Sequence, residues 1–222
     1  MKKSIKLPVA VILAVCAVLF AFASCGGDGG AEDTGGNSGA AVENGAGTPD
    51  PGPEPKSFLK KAETGDRNNY SGAVGYEISV LEDIQVSAVG RPVSGSMDQA
   101  HAVYIWEVSS ETLLASAAVA PDSPADALGF KTAQLSTQIV LKAGESYRIV
   151  CAEYKDGDMW YDIGTSADDP IPDLQPNPEA EITTPVFTGE DAHDSYPSNT
   201  YNPGGVRGYA GVTFYYLPPA VG

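Results

Sequence analysis

The chain has 222 residues, 13 of them Lys or Arg against 29 Asp or Glu, for a net charge of −16. Nucleic-acid binding needs clustered Lys and Arg facing phosphates, so this acidic balance excludes nucleic acid as a partner. Three cysteines among 222 residues exclude a disulfide-dense scaffold.

The chain opens with Lys2, Lys3 and Lys6, followed by an apolar run from Leu7 to Ala23 that only Pro8 interrupts. Small residues, Ala23 and Ser24, then lead into Cys25. A positive start, a short apolar stretch and a small-residue cleavage site describe a secretory signal peptide over residues 1–24. The run falls short of the ~20 apolar residues that a membrane-spanning helix requires. Phe22, Ala23, Ser24 and Cys25 together resemble the lipobox of bacterial lipoproteins, with Phe22 departing from the usual Leu at the first position. The resemblance implies a diacylglyceryl group on the Cys25 sulfur and cleavage just before it. Two or three acyl chains suffice for stable anchoring, so the expected location is extracytoplasmic, lipid-anchored to a bacterial membrane, at the outer membrane or the cell surface.

Removal of residues 1–24 takes three lysines and no acid, which leaves 10 basic residues against 29 acidic ones, a net −19. Such a surface repels anionic head groups, so the lipid must hold the membrane. Cys16 departs with the signal peptide and Cys25 takes the lipid. Cys151 is then the one cysteine of the folded part, and no intramolecular disulfide is possible. Its alternating apolar neighbours mark it as a small buried hydrophobe.

Residues 25–56 are rich in Gly, Ala, Asn, Asp, Glu and Thr and end in Pro51, Pro53 and Pro55. This composition cannot bury enough apolar area to offset ordering entropy, so a flexible linker is expected, stiffer at its proline end. Residues 57–222 then form one domain of ordinary size.

Within that domain helical periodicity is nearly absent. Short alternating runs separated by turn residues predict an all-β fold, an antiparallel β-sandwich of jelly-roll or immunoglobulin-like type. Strands are expected at Val74–Val80 and Ile84–Val89. A central strand is expected at His101–Val108, where both faces carry apolar residues. Thr112–Val119 should return from it as a hairpin arm. Further strands are expected at Phe130–Leu135, Gln138–Leu141 and Tyr147–Tyr154. The Asp156-Gly157 step predicts a hairpin turn with a return arm at Met159–Ile163. The long polar stretch 164–203 holds one expected strand, Pro185–Thr188, and Tyr209–Leu217 closes the domain.

Several pieces occur in a recognisable order. Gly75-Tyr76, Ile84 with Val86, and Val89-Gly90 come first, then His101-Ala102-Val103-Tyr104-Ile105-Trp106 and Leu113-Leu114-Ala115-Ser116. Gly129-Phe130, Leu141-Lys142-Ala143-Gly144 and Tyr147-Arg148-Ile149 follow. Between about Val74 and Asp162, and again near Tyr209–Tyr216, the chain resembles the bacterial family catalogued as domain of unknown function 4082. The resemblance implies a β-sandwich module in a secreted protein and assigns no activity.

Catalytic signatures are missing. The domain has no Gly-x-Ser-x-Gly elbow, phosphate loop, His-Glu-x-x-His or Cys-x-x-Cys. His193 lies beside Asp194 and Ser195, but neighbouring loop residues rarely reach triad geometry. His101, at the start of the central strand, is read as structural. Two loop regions could bind a ligand. One carries Trp160 and Tyr161, with Asp156, Asp158 and Asp162 as oxygen donors for a possible calcium ion. The other carries Tyr196, Tyr201 and Asn202, whose rings and amide suit sugar faces and hydroxyls. The expected function is a non-catalytic β-sandwich module binding glycan or protein at the cell surface, with no obligatory cofactor. The alternatives are a purely structural or spacer surface lipoprotein and, with less in its favour, a hydrolase.

Overall fold

The computed structural model describes residues 54–162, 173–201 and 206–218. The expected signal peptide, the expected lipid site Cys25, almost all of the expected linker over 25–56, and Asn202 lie outside the described residues. The described part contains strands and no helix. They are β1 (Lys56–Ser57), β2 (Gly72–Val80), β3 (Ile84–Pro92), β4 (His101–Glu107), β5 (Thr112–Val119), β6 (Phe130–Leu141), β7 (Ser146–Glu153), β8 (Ala180–Phe187), β9 (Asn199–Thr200) and β10 (Thr213–Leu217). They form an antiparallel β-sandwich. One sheet has the order β1-β10-β3-β6, and the other has the order β5-β4-β7-β2-β8-β9.

Period-two alternation builds the core. Val74, Tyr76, Ile78 and Val80 of β2, Val103 and Ile105 of β4, and Tyr147, Ile149 and Cys151 of β7 pack in one cluster with Ile84, Val86 and Val89 of β3 and Phe214 and Tyr216 of β10. On β3 the buried parity changes between Val86 and Val89. The register against β6 slips there, from Val86↔Ile139 to Ala88↔Gln134, and the register against β10 slips at the same place. Ser87 is the extra residue of a bulge, which turns the following side chains to the opposite face. Arg91 thereby comes to lie inside the sandwich, 1% exposed. The four residues 135–138 that β6 skips in this register contain Ser136-Thr137, where the sequence predicts a break between two strands. β6 instead runs through as one 12-residue strand.

Three other expectations are corrected. The return arm after Asp156-Gly157 does not form. Asp156 does adopt the left-handed turn conformation (φ 60°). However, β7 is already paired along both edges, with β4 and with β2, so no ladder is open to a returning strand. The chain crosses over, and Trp160 makes an isolated antiparallel bridge with Arg67. The closing strand starts at Thr213 rather than Tyr209, because Ala210 (φ 61°) and Gly211 (φ 55°) are both left-handed and interrupt the extended backbone. The strand expected at Pro185–Thr188 spans Ala180–Phe187 and pairs with β2. The Leu81–Asp83 turn and the β4–β5 hairpin fall where the sequence places them.

The outer face of the larger sheet carries a second apolar cluster. Ala73, Trp106, Val150 and Val186 are buried there with Tyr104 and Tyr196 against them. No helix of the described residues is long and apolar enough to cross a membrane.

Candidate functional site

A cleft of about 190 Å³ opens beside the larger sheet and is lined by Arg67, Tyr70, Val74, Trp160, Phe187 and Tyr209. Four separate stretches of chain supply these side chains, the first of them residues 67–74. The crossing segment pairs with the segment before β2 through two backbone hydrogen bonds, Arg67 N–H to Trp160 O (3.3 Å) and Trp160 N–H to Arg67 O (3.0 Å). Tyr209 is brought in by its N–H bond to the Gly75 carbonyl (3.0 Å). The left-handed Ala210-Gly211 step lies directly after it. Tyr70 is fixed by donating its hydroxyl to the Thr188 carbonyl (2.6 Å). Gly72 makes that placement possible. Its φ of 152° suits glycine, and a Cβ there would lie 2.8 Å from the Tyr70 ring and 2.8 Å from Thr188 Oγ1.

The cleft pairs an aromatic body with one ion pair. The Arg67 guanidinium lies 4.9 Å from the centre of the Trp160 ring and 6.0 Å from that of Tyr209. Its Nε donates to Asn69 Oδ1 (2.8 Å) and its Nη1 to Asp162 Oδ2 (2.8 Å). The second terminal nitrogen, Nη2, has no partner among the described residues. The Tyr209 hydroxyl likewise makes no hydrogen bond to a described residue, and burial pushes its pKa up to about 12, so it stays a neutral donor. Trp160 is 2% exposed, and its indole N–H finds no partner among the described residues. Phe187 and Tyr209 meet edge to face, with centroids 6.0 Å apart, and Trp160 and Tyr209 do the same at 6.2 Å.

Behind the cleft a buried ion network fixes the crossing segment. Arg91 Nε and Nη2 donate to the two oxygens of Glu153 at 3.0 and 2.8 Å, a bidentate geometry. His101 Nδ1 lies 2.7 Å from the Ala152 carbonyl and 3.1 Å from Glu153 Oε2, while Nε2 lies 2.9 Å from Asp158 Oδ2. Every one of these partners can only accept from the ring, so both ring nitrogens must carry hydrogen and His101 is an imidazolium. Burial of the ring acts to lower its pKa, but the hydrogen bond and charge of Glu153, assisted by Asp158, outweigh that and raise it. The Glu153 and Asp158 carboxyls are both held below their usual values despite burial. The His101 bond and the Arg91 charge act on Glu153, and the Asp98 N–H and His101 act on Asp158. Two cations and two anions leave the network neutral. Arg91 Nη2 also donates to the Met159 carbonyl (3.2 Å), next to Trp160.

The residues expected from sequence are distributed as follows. Trp160 lines the cleft, and Asp162 forms its ion pair. Tyr161 is buried behind it, and its carbonyl accepts the Ala210 N–H (2.9 Å). Asp158 belongs to the ion network, with Oδ1 on the Asp98 N–H (2.7 Å) and Oδ2 on the Gln99 N–H (3.1 Å) as well as on His101. Asp156 sits exposed at its turn. The structure does not gather Asp156, Asp158 and Asp162 into one ligand set. Among the described residues the one group of metal-ligand atoms within 4.8 Å of one another is His101, Cys151 and Glu153. There the Arg91 guanidinium already holds both Glu153 oxygens, and both His101 nitrogens face other acceptors. Tyr196 lies on the far side of the larger sheet, 5.9 Å from Trp106 and 4.9 Å from the Arg148 guanidinium. Tyr201 is half exposed, and its electrostatic influence reaches Tyr209. His193 stacks on Tyr154 at 4.6 Å and its Nε2 lies 3.1 Å from Ser71 Oγ. Its serine partner is thus Ser71 and not Ser195, and no carboxylate of the described residues is in ion-pair contact with it.

Arg67, Tyr70, Phe187 and Tyr209 were not singled out by sequence reasoning. The usable local signal is Gly211, a break in an otherwise continuous strand pattern beside Tyr209. A scan against models of known protein families finds no match for this chain, and a search of curated proteins finds no similar one.

Proposed function

We propose that the protein is a lipid-anchored extracytoplasmic binding module, non-catalytic, that offers the aromatic cleft to a glycan. The observation that carries this reading is the Arg67–Asp162 pair held against Trp160 and Tyr209 at the cleft. The half-buried rings of Tyr70, Phe187 and Tyr209 bury the apolar face of a sugar ring, while the Arg67 guanidinium and the Tyr209 hydroxyl, whose donors meet no described residue, meet its hydroxyl oxygens. This is the combination of apolar lining and few fixed polar groups that small-ligand sites use. The buried ion network holds the segment carrying Trp160 and Asp162, so the seat is organised before the ligand arrives, which lowers the entropy cost of binding. The acidic surface keeps the domain away from anionic membrane lipid, and the acyl chains on Cys25 with the linker would hold it at a distance.

Two experiments test this. A glycan array probed with the full mature chain should give hits that are lost in Trp160→Ala and Tyr209→Ala variants; a blank array removes the glycan reading in favour of a protein-contact or structural role. Metabolic labelling with a fatty-acid analogue should mark the protein in its native host and fail for Cys25→Ala. Labelling that persists in that variant refutes the anchor.

A further inference from the structure

Resting on the reading of the cleft as a glycan seat, we infer that it takes a single neutral pyranose at the end of a glycan chain, and neither a charged sugar nor an internal stretch of polymer. Size is the first argument. At about 190 Å³ the cleft falls below the ~300–1,000 Å³ of sites that enclose drug-sized ligands. It accommodates one ring-sized group between Tyr70, Phe187 and Tyr209.

Charge is the second argument. Arg67 and Asp162 are 2.8 Å apart and cancel within the cleft. A carboxylate on the ligand could reach Arg67 only against Asp162, in a chain whose net charge is −16. An ammonium would lie beside the Arg67 guanidinium, which already occupies the cation positions over Trp160 and Tyr209. Neither sign finds an unshared counter-charge among the described residues, and moving an uncompensated charge into a partly desolvated cleft is costly.

Donor chemistry is the third argument. Among the described residues the groups without a partner are Arg67 Nη2 and the Tyr209 hydroxyl, and the Tyr70 hydroxyl, having donated to Thr188, can still accept. Two donors and one acceptor match sugar hydroxyls, each of which both gives and takes a hydrogen bond.

The test uses the full mature chain, ¹⁵N-labelled, and its two tryptophans. Their indole N–H signals are separable reporters, since Trp160 lines the cleft and Trp106 lies on the outer face of the other side of the larger sheet; Trp106→Phe assigns them. Neutral methyl hexopyranosides are titrated beside methyl glucuronide, methyl glucosaminide and oligosaccharides of the best neutral sugar. The expected result is a shift of the Trp160 signal alone, with the charged glycosides weaker by about tenfold or more. Oligosaccharides should gain less than about threefold over the monosaccharide. Tyr209→Phe, which keeps the ring and the fold, should weaken binding by about fivefold to tenfold. A charged glycoside that binds as well as the neutral one overturns the charge argument. An oligosaccharide that gains more than tenfold overturns single-residue recognition and leaves the glycan reading standing. Sugars that bind without moving Trp160 overturn the cleft itself, and no binding by any sugar overturns both readings together.

Discussion

Truncating Glu153 to alanine would strip one anion from the buried network and leave the Arg91 guanidinium inside the sandwich. Arg91 is 1% exposed, and without Glu153 it keeps only the Pro92 and Met159 carbonyls, each at 3.2 Å. Removing one partner of a buried ion pair costs about 3–5 kcal/mol, because the remaining charge is uncompensated. Domains are stable by about 5–15 kcal/mol, and at this size ~1 kcal/mol moves the melting midpoint by about 2–4 °C. Glu153→Ala should therefore melt about 6–20 °C lower at pH 7, read by circular dichroism and confirmed by urea denaturation. The double variant Arg91→Met with Glu153→Leu removes both charges, keeps much of the volume, and leaves His101 facing Asp158. It should recover most of the loss, since an apolar replacement of a buried pair is often neutral or stabilising. A Glu153→Ala loss under about 1 kcal/mol, or a double variant no better than the single one, would refute the view that this pair is ionised and dry.

The same network sets a pH window. His101 has a raised folded pKa, so its contribution is complete below the unfolded value near 6.5 and fades as pH climbs through the folded value. Glu153 and Asp158 have lowered folded pKa values. Their contribution is complete above about pH 4–4.5 and fades as pH falls through the folded values. Urea midpoints across pH should show a plateau between these limits, and stability that keeps rising into alkali would contradict an imidazolium at His101. Cys151 is fully buried with its thiol pKa pushed well up by burial and by the Glu153 charge; it should ignore thiol reagents in the native state and react at once in denaturant. Glu111 holds a left-handed backbone in the β4–β5 turn (φ 53°), so Glu111→Gly should raise stability by up to about 1 kcal/mol in the same melts. Gly72→Ala should displace Tyr70 and weaken ligand binding more than it lowers the melting midpoint.

The sandwich was legible because alternation at period two is written locally. Val74–Val80, Thr112–Val119 and Tyr147–Tyr154 can each be read within seven or eight residues. The errors came where tertiary pairing decides. Asp156-Gly157 carries a hairpin signal, but the hairpin fails because β4 and β2 already occupy both edges of β7. The bulge at Ser87, which brings Arg91 into the core, leaves no trace in composition. The cleft was legible only in part. Trp160 and Asp162 stood out because they cluster near a turn, while Arg67, Tyr70, Phe187 and Tyr209 lie far apart in sequence and are joined by the Arg67–Trp160 bridge. Acidic residues near a turn also suggest a metal on composition alone, whereas hydrogen bonding decides what each carboxylate does.

The three aspartates give that point a direct test. A calcium ion needs six to eight oxygen ligands, usually several from carboxylates that converge. Asp158 has Oδ1 on the Asp98 N–H and Oδ2 on Gln99 and His101, so ligation would break the contact that keeps His101 charged. Asp162 is engaged by Arg67 at 2.8 Å, and freeing it would expose a cation over Trp160. Asp156 faces solvent with its backbone N–H on the Asn68 carbonyl at 2.7 Å. Calcium at these residues would have to displace two ion pairs to gain three carboxylates. The melting midpoint of the protein should then be the same, within about 1 °C, in saturating calcium and in chelator, because a ligand that binds only the folded state at 100 times its Kd stabilises by about 2.7 kcal/mol and would move it several degrees. A rise of that size in calcium, abolished by Asp158→Asn, would show that the hydrogen bonds yield to the ion.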